Sequence, residues 1–342
     1  MATTPGTAFV TGGSGFIGGR LIRRLAGDGW SVRALARSDR SAAAVRGLGA
    51  EAVRGDLTDV SAMTAGAEGS DVAFHLAAHL GQWGAREDFE RDNVAGTENA
   101  LAACSRAGVR RFVHCGTEAA LLAGDPLVEV DETAPLRPDS KALYSATKAR
   151  AERAVLAANG PELETVVVRP RFVWGAGDTT LLPGIVEAVE AGRFAWIGGG
   201  RHRTATTHVD NTVEGLVLGA IRGTPGEAYF VTDGDPVVFR EFVSKLLASQ
   251  GLSPPTRSLP APVARAGAAA CELAWRTLPL KGEPPLTRLA YWLSAQECTI
   301  DTSKARRELD YRPVRSREDG LEELRQPARP DRRSSPGANA TG

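Results

Sequence analysis

An α/β fold with a doubly wound parallel sheet and a smaller C-terminal cap is predicted by two features of the sequence. In the first half, short β-branched or apolar runs such as "TAFVTG", "SVRALA" and "RRFVHCG" alternate with longer segments of helical period. This alternation is typical of a parallel sheet covered by helices on both faces. The second half is punctuated by Gly and Pro and carries further helical segments, which we interpret as a cap built from several stretches. A cleft between sheet and cap is the expected place for a ligand.

The predicted elements follow one another in a regular order. Strands are expected at "TAFVTG", "SVRALA", "EAVRGD", "DVAFHLAA", "RRFVHCG" and "ETVVVRP". Helices are expected from Phe16, near Ala42, over residues 89–106, around Tyr144, over residues 181–191 and 211–222, and at "REFVSKLLASQ", an Ala-rich segment and "DTSKARRELDY". We predict a sheet domain over residues 1–175, a mainly cap-forming part over residues 176–325 with some segments returning to the sheet, and a disordered tail over residues 326–342. The tail is rich in Pro, Arg, Ser and Gly, which cannot bury enough apolar surface to offset the ordering entropy.

Composition excludes several classes of partner. The 342 residues include 41 basic and 41 acidic side chains, so no net charge favours nucleic acid or an anionic membrane. No uninterrupted apolar stretch reaches bilayer length, and we expect no membrane span. The four cysteines (Cys104, Cys115, Cys271 and Cys298) lack metal-ligand spacing, so we expect free thiols, no metal and a cytoplasmic location.

A glycine-rich turn follows the first strand and opens the first helix. Gly12, Gly15 and Gly18 stand in "FVTGGSGFIGGRL". This order suits a dinucleotide-binding loop, because glycines permit a tight turn, close approach of backbone to pyrophosphate and helix-to-strand packing. A turn without function is the alternative. Since strand, turn and helix occur in sequence, we predict a Rossmann fold that binds a dinucleotide.

The end of the second strand bears on which dinucleotide binds. An acidic residue for the adenosine ribose is expected about 20 residues after the glycines, but Ala36 occupies that place and Arg37 follows it. An arginine there favours NADP(H), because it can donate charge-assisted hydrogen bonds to a 2′-phosphate. NAD stays possible for two reasons. Arg37 could be only a solvated loop charge, and Asp39 could take the place of the expected acid. Asp56 and Leu57 follow the third strand, where a side chain can reach the adenine.

"YSATK" places a phenol one helical turn before an ammonium. Tyr144 and Lys148 share a helix face and are in contact distance, although solvated pairs at this spacing are ordinary. With a nicotinamide cofactor expected, the pair gains a purpose: the ammonium lowers the pKa of the phenol and also donates to the nicotinamide ribose. Thr117 ends the preceding strand and supplies a second hydroxyl for the reacting oxygen, unless it is only a strand-end cap. Ser145 and Thr147 are nearby hydroxyls on other faces of the helix.

The motifs "TGGSGFIG", "GDL", "HLAA", "NVAGTENAL", "CGT", "YSATK" and "VVRPRFVWGAGD" together resemble the extended short-chain dehydrogenase/reductase family. The resemblance extends from about Thr7 to Leu324. It implies a Thr117, Tyr144 and Lys148 catalytic set on a Rossmann fold, with threonine in place of the commoner serine. It also implies a structural role for Asn93. The cofactor contacts it implies include Phe16, Ile17, Ala77, Ala78, Pro170 and Val173.

Within that family, "HLGQWGAREDFERDNVAGT", "WIGGGRHRTATTHVDN", "PLTRLAYW" and "DTSKARRELDYRP" resemble the 3β-hydroxysteroid dehydrogenase-like branch. The resemblance implies a ketone reductase or alcohol dehydrogenase acting on a hydrophobic small molecule, and with it we expect a homodimer. The apolar segment 259–280, with Trp275, is expected to cover the substrate, with ordinary helix packing as the alternative.

Two other functions stay open. Glu118 follows Thr117, as an acid does in sugar-nucleotide dehydratases of the same fold, and Arg201 and Arg203 could bind a diphosphate, although a solvated loop is the simpler interpretation. The second open function is a regulator that senses NADP(H) without turnover. The intact set of Thr117, Tyr144 and Lys148 argues against the sensor.

Overall fold

The computed structural model describes residues 5–325, and the predicted tail over residues 326–342 lies outside the described residues. The strands are β1 (Thr7–Thr11), β2 (Ser31–Ala36), β3 (Glu51–Arg54), β4 (Val72–His75), β5 (Arg111–Cys115), β6 (Leu127–Val130), β7 (Glu164–Pro170), β8 (Val173–Trp174), β9 (Trp196–Ile197), β10 (Arg203–Thr204), β11 (Thr207–His208), β12 (Glu227–Val231), β13 (Val237–Val238), β14 (Ser258–Leu259) and β15 (Cys298–Ile300). The helices are α1 (Phe16–Gly27), α2 (Asp39–Gly47), α3 (Val60–Ala67), α4 (Arg86–Phe89), α5 (Gly96–Arg106), α6 (Leu143–Ala157), α7 (Leu181–Glu190), α8 (Val209–Arg222), α9 (Phe239–Ser249), α10 (Ala261–Thr277), α11 (Arg288–Ala295) and α12 (Arg317–Arg325).

Seven parallel strands form the central sheet, in the order β3-β2-β1-β4-β5-β7-β12. The order changes direction between β1 and β4, and a crevice opens at this point outside the carboxyl ends of the strands. The predicted doubly wound α/β fold is confirmed. Every strand predicted in the first half belongs to this sheet.

Alternating residues of the strands build two separate cores. In β1, Phe9 packs on one face of the sheet with Met63 of α3, and its neighbour Val10 packs on the other face with Leu21 of α1. The same alternation divides residues 112 and 113 of β5 between the two cores. Both faces are buried because successive side chains of a strand point to opposite sides of a sheet covered by helices. The sheet is therefore a rigid platform for groups at its edge.

The helix predicted over residues 89–106 contains a π-helical turn, Glu90–Ala95, between α4 and α5. Asn93 lies in this turn and is buried. Its amide accepts from the backbone N–H of His79 at 2.7 Å and donates to Thr147 Oγ1 at 3.1 Å. Asn93 thus joins the loop after β4 to helix α6, a structural role of the kind that the resemblance implies.

The remaining strands form smaller sheets beside the carboxyl edge of the main sheet. Four strands pair in the order β13-β10-β15-β6, and β11-β8 and β14-β9 form two-stranded sheets. Because β6 comes from the chain between β5 and α6, this part is built from several stretches. Before α12, "DTSKARRELDY" carries only a short π-helical turn, Ala305–Leu309, rather than a full helix.

Candidate active site

The glycine-rich turn after β1 is shaped for close approach. Gly12 has a φ of 73°, and a Cβ there would stand 2.6 Å from the backbone nitrogen of Ala77. A Cβ on Gly18 would stand 2.2 Å from the carbonyl oxygen of Gly12. The backbone itself packs too closely at these two positions for a side chain, and α1 begins directly after the turn at Phe16, which lines the cleft. The loop fits a dinucleotide.

A cleft of about 970 Å³ runs along the carboxyl edge of the sheet. It brings together every residue that the sequence predicts for the site. These residues are Gly12, Gly15, Phe16, Ile17, Gly18, Arg37, Asp56, Leu57, Ala77, Ala78, Thr117, Tyr144, Lys148, Pro170 and Val173. They come from seven segments of the chain, and parallel pairing places those segments at one edge.

At the end of the cleft near β2 and β3, Arg37 and Ser41 line the wall. Asp39 does not line it; its carboxylate pairs with Arg54 at 3.1 Å. The Asp56 carboxylate accepts from the hydroxyl and backbone N–H of Thr58, and these hydrogen bonds lower its pKa. A cofactor in the cleft would therefore meet the Arg37 guanidinium here. The Asp39 carboxylate, the alternative for this position, is paired with Arg54 instead.

Lys148 is buried below the centre of the cleft. Its Nζ donates to the carbonyl oxygen of Cys115 at 3.0 Å and to His114 Nε2 at 3.3 Å. Burial lowers the pKa of this ammonium, while the electrostatic interactions with Cys115 and Glu152 raise it by a smaller amount. The ammonium is thus held by β5, the strand beneath it.

The Tyr144 phenol does not behave as the helix spacing predicts. Burial raises its pKa above the ordinary value, and the negative charge of Glu118 adds to the increase. Lys148 does not lower it, because the ammonium is directed to β5. Lys148 is not among the groups that shift the pKa of Tyr144 here, and its predicted role in the cofactor-bound site stays a prediction. Tyr144 is held as a neutral phenol.

Thr117 caps the short 3₁₀ turn Glu118–Leu121 and has its hydroxyl engaged on two sides. Its Oγ1 donates to Glu118 Oε2 at 2.9 Å and accepts from the backbone N–H of Ala119 at 3.2 Å. The expected donation from Thr117 to a substrate oxygen stays a prediction, and it requires the hydroxyl proton to turn away from Glu118. Ser145 and Thr147 are buried and do not line the cleft.

Two buried features of the site were not predicted. Glu118 Oε1 accepts from Arg171 Nη1 at 2.5 Å, and both side chains are almost fully buried. His75 and His114 stack with ring centroids 5.4 Å apart beside Lys148, and burial lowers the pKa of both. The strand pairing of β4 with β5 sets these histidines side by side. Only the alternation of each strand could have indicated that they point inward.

A group of apolar side chains also lines the cleft, and we call it the apolar arm: Leu80, Phe172, Leu181, Leu289 and Leu293. Polar side chains that line the same cleft include Gln82, Arg91, Asp92, Thr179 and Thr180. The predicted cover, residues 259–280, contributes no lining residue, so that prediction is wrong. The lining helix is α11 instead, and α10 packs behind it.

Helix α10 supports α11 through Glu272. The Glu272 carboxylate accepts from the backbone N–H of Arg288 at 2.6 Å and pairs with the Arg288 guanidinium.

Trp275 is half-buried outside the cleft. Arg201 and Arg203 are exposed and do not line the cleft, although Arg203 belongs to β10 rather than to a loop. The four cysteines are free thiols. Among the described residues, no helix is long and apolar enough to cross a membrane.

Comparisons with known proteins agree with this geometry. The model of the 3-beta hydroxysteroid dehydrogenase/isomerase family matches residues 9–261. A 4-hydroxy-2-methyl-3-oxo-4-farnesyl-3,4-dihydroquinoline-1-oxide ketoreductase of Stigmatella aurantiaca is 47% identical over 318 residues, covering 93% of this chain and 95% of that protein. A 2-alkyl-3-oxoalkanoate reductase of Stenotrophomonas maltophilia is 39% identical over 329 residues, covering 92% of this chain and 97% of that protein.

Among solved structures, a double mutant of the dTDP-glucose 4,6-dehydratase DesIV from Streptomyces venezuelae, with NAD and DAU bound, superposes with a TM-score of 0.72. It is 24% identical and the match covers 93% of this chain and 95% of that chain. This likeness shows a shared fold.

Proposed function

The chain belongs to the 3-beta hydroxysteroid dehydrogenase/isomerase family of NAD(P)-dependent dehydrogenases, and we propose that it reduces a ketone on a hydrophobic small molecule with NADPH. The observation that carries this proposal is the position of Tyr144. The phenol lines the same cleft as the glycine-rich turn and the apolar arm. A proton donor is needed in a site that holds both a nicotinamide and a ketone, because the ketone oxygen becomes a hydroxyl.

Each site residue has a separate task in this proposal. A bound nicotinamide supplies the hydride. Tyr144 holds the proton that the substrate oxygen receives, and its raised pKa keeps that proton in place at neutral pH. Lys148 is anchored on β5 with one donor left for a ribose. Thr117 lines the same cleft as the phenol. Pro170 and Val173 also line the cleft.

The preference for NADPH is inferred from the β2 end of the cleft. Arg37 and Ser41 line it, whereas Asp39 is paired with Arg54. A guanidinium favours a 2′-phosphate, and a carboxylate facing a ribose would disfavour it. NAD stays possible as a weaker cofactor.

The substrate class is inferred from the apolar arm. Its leucines and Phe172 offer apolar area beside a few polar side chains such as Gln82, which suits a ketone carried on a ring system or alkyl chain. The relatives from Stigmatella and Stenotrophomonas are named for 3-oxo compounds with a farnesyl or alkyl substituent. We therefore infer a steroid-like or long-chain 3-oxo compound. A cytoplasmic homodimer is the accompanying expectation, to be tested by light scattering and cell fractionation.

A sugar-nucleotide dehydratase is less well supported. Its acid would be Glu118, but that carboxylate is paired with Arg171 and buried. The exposed Arg201 and Arg203 lie outside the cleft and are not placed to hold a diphosphate there.

The test is a panel of sterol, alkyl-3-oxo and prenylated cyclic ketones, followed by NADPH absorbance. Wild type and Tyr144→Phe are compared, with Tyr291→Phe as the matched control because that residue does not line the cleft. We expect Tyr144→Phe to bind NADPH normally and to lose turnover by about 10²–10⁴-fold. NADPH binding without turnover of any ketone by the wild type would instead support a sensor.

A further inference from the structure

The aromatic member of the apolar arm, Phe172, has a strained backbone. Its φ is 40°, in the left-handed region, which costs a bulky residue free energy. The other described residues besides glycine with a positive φ are Glu129 and Asp310, and neither lines the cleft. Glycine or asparagine would adopt this conformation at lower cost. A phenylalanine in such a place therefore calls for a reason that involves its ring.

The backbone on both sides of Phe172 is held by Thr207. The Arg171 N–H donates to Thr207 Oγ1 at 3.0 Å, and the Phe172 carbonyl oxygen accepts from the Thr207 N–H at 3.3 Å. Thr207 is fully buried and belongs to β11, which pairs with β8 directly after Phe172. Strained conformations persist where the surrounding structure determines them in this way. The conformation of Phe172 is therefore built into the fold.

The ring of Phe172 is also fixed in place. The Arg171 guanidinium carbon lies over the ring, 4.2 Å from its centre, and a buried cation in this position attracts the ring. Arg171 is itself buried, paired with Glu118 and bonded from Nε to Thr204 Oγ1 at 3.1 Å. Because the guanidinium covers one face, the ring presents its other face or its edge to the cleft.

A fixed aromatic ring differs in chemistry from the other members of the apolar arm, which are leucines. A leucine side chain offers any apolar group the same kind of contact. An aromatic pair is worth more than its buried area in both offset-stacked and edge-to-face arrangements. A ring that is already ordered also loses little conformational entropy when a ligand binds. The apolar arm should therefore favour a flat unsaturated ring over a saturated group of the same size.

We propose that Phe172 is a specificity-determining residue and that the substrate carries its ketone on or next to an unsaturated ring. This inference rests on the proposed ketone reduction and narrows its substrate class. The alternative is that the ring serves packing alone, since its centroid lies 6.1 Å from that of Phe239 in the neighbouring core.

The test compares 2-tetralone, which has an aromatic ring, with 2-decalone, its saturated counterpart on the same bicyclic carbon skeleton. We expect the wild-type kcat/KM with NADPH to favour 2-tetralone by about 3–10-fold, the value of an aromatic pair. The ratio should fall to about one in Phe172→Leu and persist in Phe172→Tyr. Phe194→Leu is the matched control, because Phe194 is half-buried in the same core but does not line the cleft. The same ratio in the wild type and Phe172→Leu would overturn the inference.

A binding measurement separates this inference from the proposed function. The corresponding alcohols, 2-tetralol and 2-decalol, are titrated calorimetrically into enzyme saturated with NADPH, which has no hydride to give to an alcohol. The wild type should bind 2-tetralol more tightly, and Phe172→Leu should bind both alcohols equally. If the wild type reduces no ketone but keeps this preference, the proposed function fails while Phe172 remains the residue that selects the ring. Equal affinity for the two alcohols in the wild type, or binding of neither, would overturn the inference.

Urea unfolding tests the strain at Phe172. Phe172→Gly and Phe194→Gly each remove a half-buried ring from the same core, but glycine relieves backbone strain only at position 172. Phe172→Gly should therefore unfold at a higher urea concentration than Phe194→Gly. It also supplies a folded protein without the ring, in which the preference for 2-tetralone should be lost. A lower urea midpoint for Phe172→Gly than for Phe194→Gly would show that the ring is kept for packing and would overturn the inference.

Discussion

Lys148 donates to the carbonyl oxygen of Cys115 over 3.0 Å, and this bond directs the ammonium to the end of β5. His114 accepts from the same Nζ at 3.3 Å. An ammonium has three donors, so one is left for a group in the cleft. The bond to a backbone carbonyl makes the position of Lys148 independent of the Tyr144 side chain.

Replacement of Lys148 by Met should therefore affect cofactor binding and rate together. We expect NADPH to bind about tenfold or more weakly and kcat to fall at least as much, since an anchored donor to the ribose is lost. Lys141→Met is the control, because Lys141 is exposed and does not line the cleft. Calorimetric NADPH titration and single-turnover kinetics separate the two effects. Normal NADPH affinity in Lys148→Met would refute the ribose contact.

Arg37 should determine the choice between the two dinucleotides. Arg37→Ala is expected to weaken NADPH binding about 10–100-fold, the value of a charge-assisted hydrogen bond, and to leave NADH binding nearly unchanged. Ala36→Asp should shift the preference toward NADH. Arg40→Ala is the matched control, since Arg40 is exposed nearby but does not line the cleft. Equal losses for both cofactors in Arg37→Ala would contradict the proposal.

The sequence was sufficient for the groups that lie at the ends of parallel strands. Gly12, Thr117 and Pro170 follow or end strands of opposite halves of the sheet, and the strand–helix alternation alone brings them to one edge. Tyr144 and Lys148 needed only the helical period. These are local patterns, and the fold converts them into proximity.

The sequence was not sufficient where the outcome depends on packing between distant segments. Glu118 and Arg171 meet through the sheet, and no pattern near either residue indicates the other. Helix spacing predicted the distance from Tyr144 to Lys148 but not the direction of the ammonium, which a buried carbonyl decides. Helix α10 has apolar residues on two faces, with Val263 and Leu273 exposed on the outer one, so hydropathy could not show which surface it covers.

Leu293 should control substrate shape, because it is a half-buried residue of α11 that lines the apolar arm. Leu293→Trp is expected to shift the preference from long-chain to smaller ketones by about 10–200-fold in kcat/KM, the range for steric discrimination in an apolar pocket. NADPH affinity should stay unchanged. The control is Leu273→Ala on the exposed face of α10. A larger change in preference from Trp275→Leu than from Leu293→Trp would instead restore α10 as the cover.

The raised pKa of Tyr144 gives the two reaction directions different pH dependence. Reduction needs the phenol, which is present through neutral pH, so its rate should be flat from about pH 6 to about pH 9. Oxidation of the alcohol needs the phenolate, and below the pKa its fraction rises about tenfold per pH unit. We expect log kcat for oxidation to rise with a slope near one. A plateau in oxidation beginning near neutral pH would show a lowered pKa instead.

The buried histidines behind the site should make the fold sensitive to acid. Thr97 uses its hydroxyl proton to donate to the Asn93 carbonyl. His75 Nε2 must therefore donate to Thr97 Oγ1, and His75 Nδ1 accepts from Thr11 Oγ1 at 2.8 Å. Both ring nitrogens are thus satisfied in the neutral form. Burial lowers the pKa of His75 from its ordinary 6.5 to about 3, and the charge of Lys148 contributes.

The sign of this effect follows from proton counting. Between about pH 6.5 and about pH 3 the unfolded chain binds a proton that the folded His75 does not, so stability falls as the pH is lowered through this window and is unaffected above it. At about pH 5 the loss from His75 is about 2 kcal/mol, and His114 contributes in the same direction.

Urea unfolding of the wild type, His75→Asn and His114→Asn at about pH 7.5 and about pH 5 measures this loss of stability. Each variant should lose less stability between the two pH values than the wild type, whereas His79→Asn, a change of a partly exposed histidine, should behave as the wild type. The same pH dependence in all four proteins would show that carboxylates, rather than these histidines, determine the acid sensitivity.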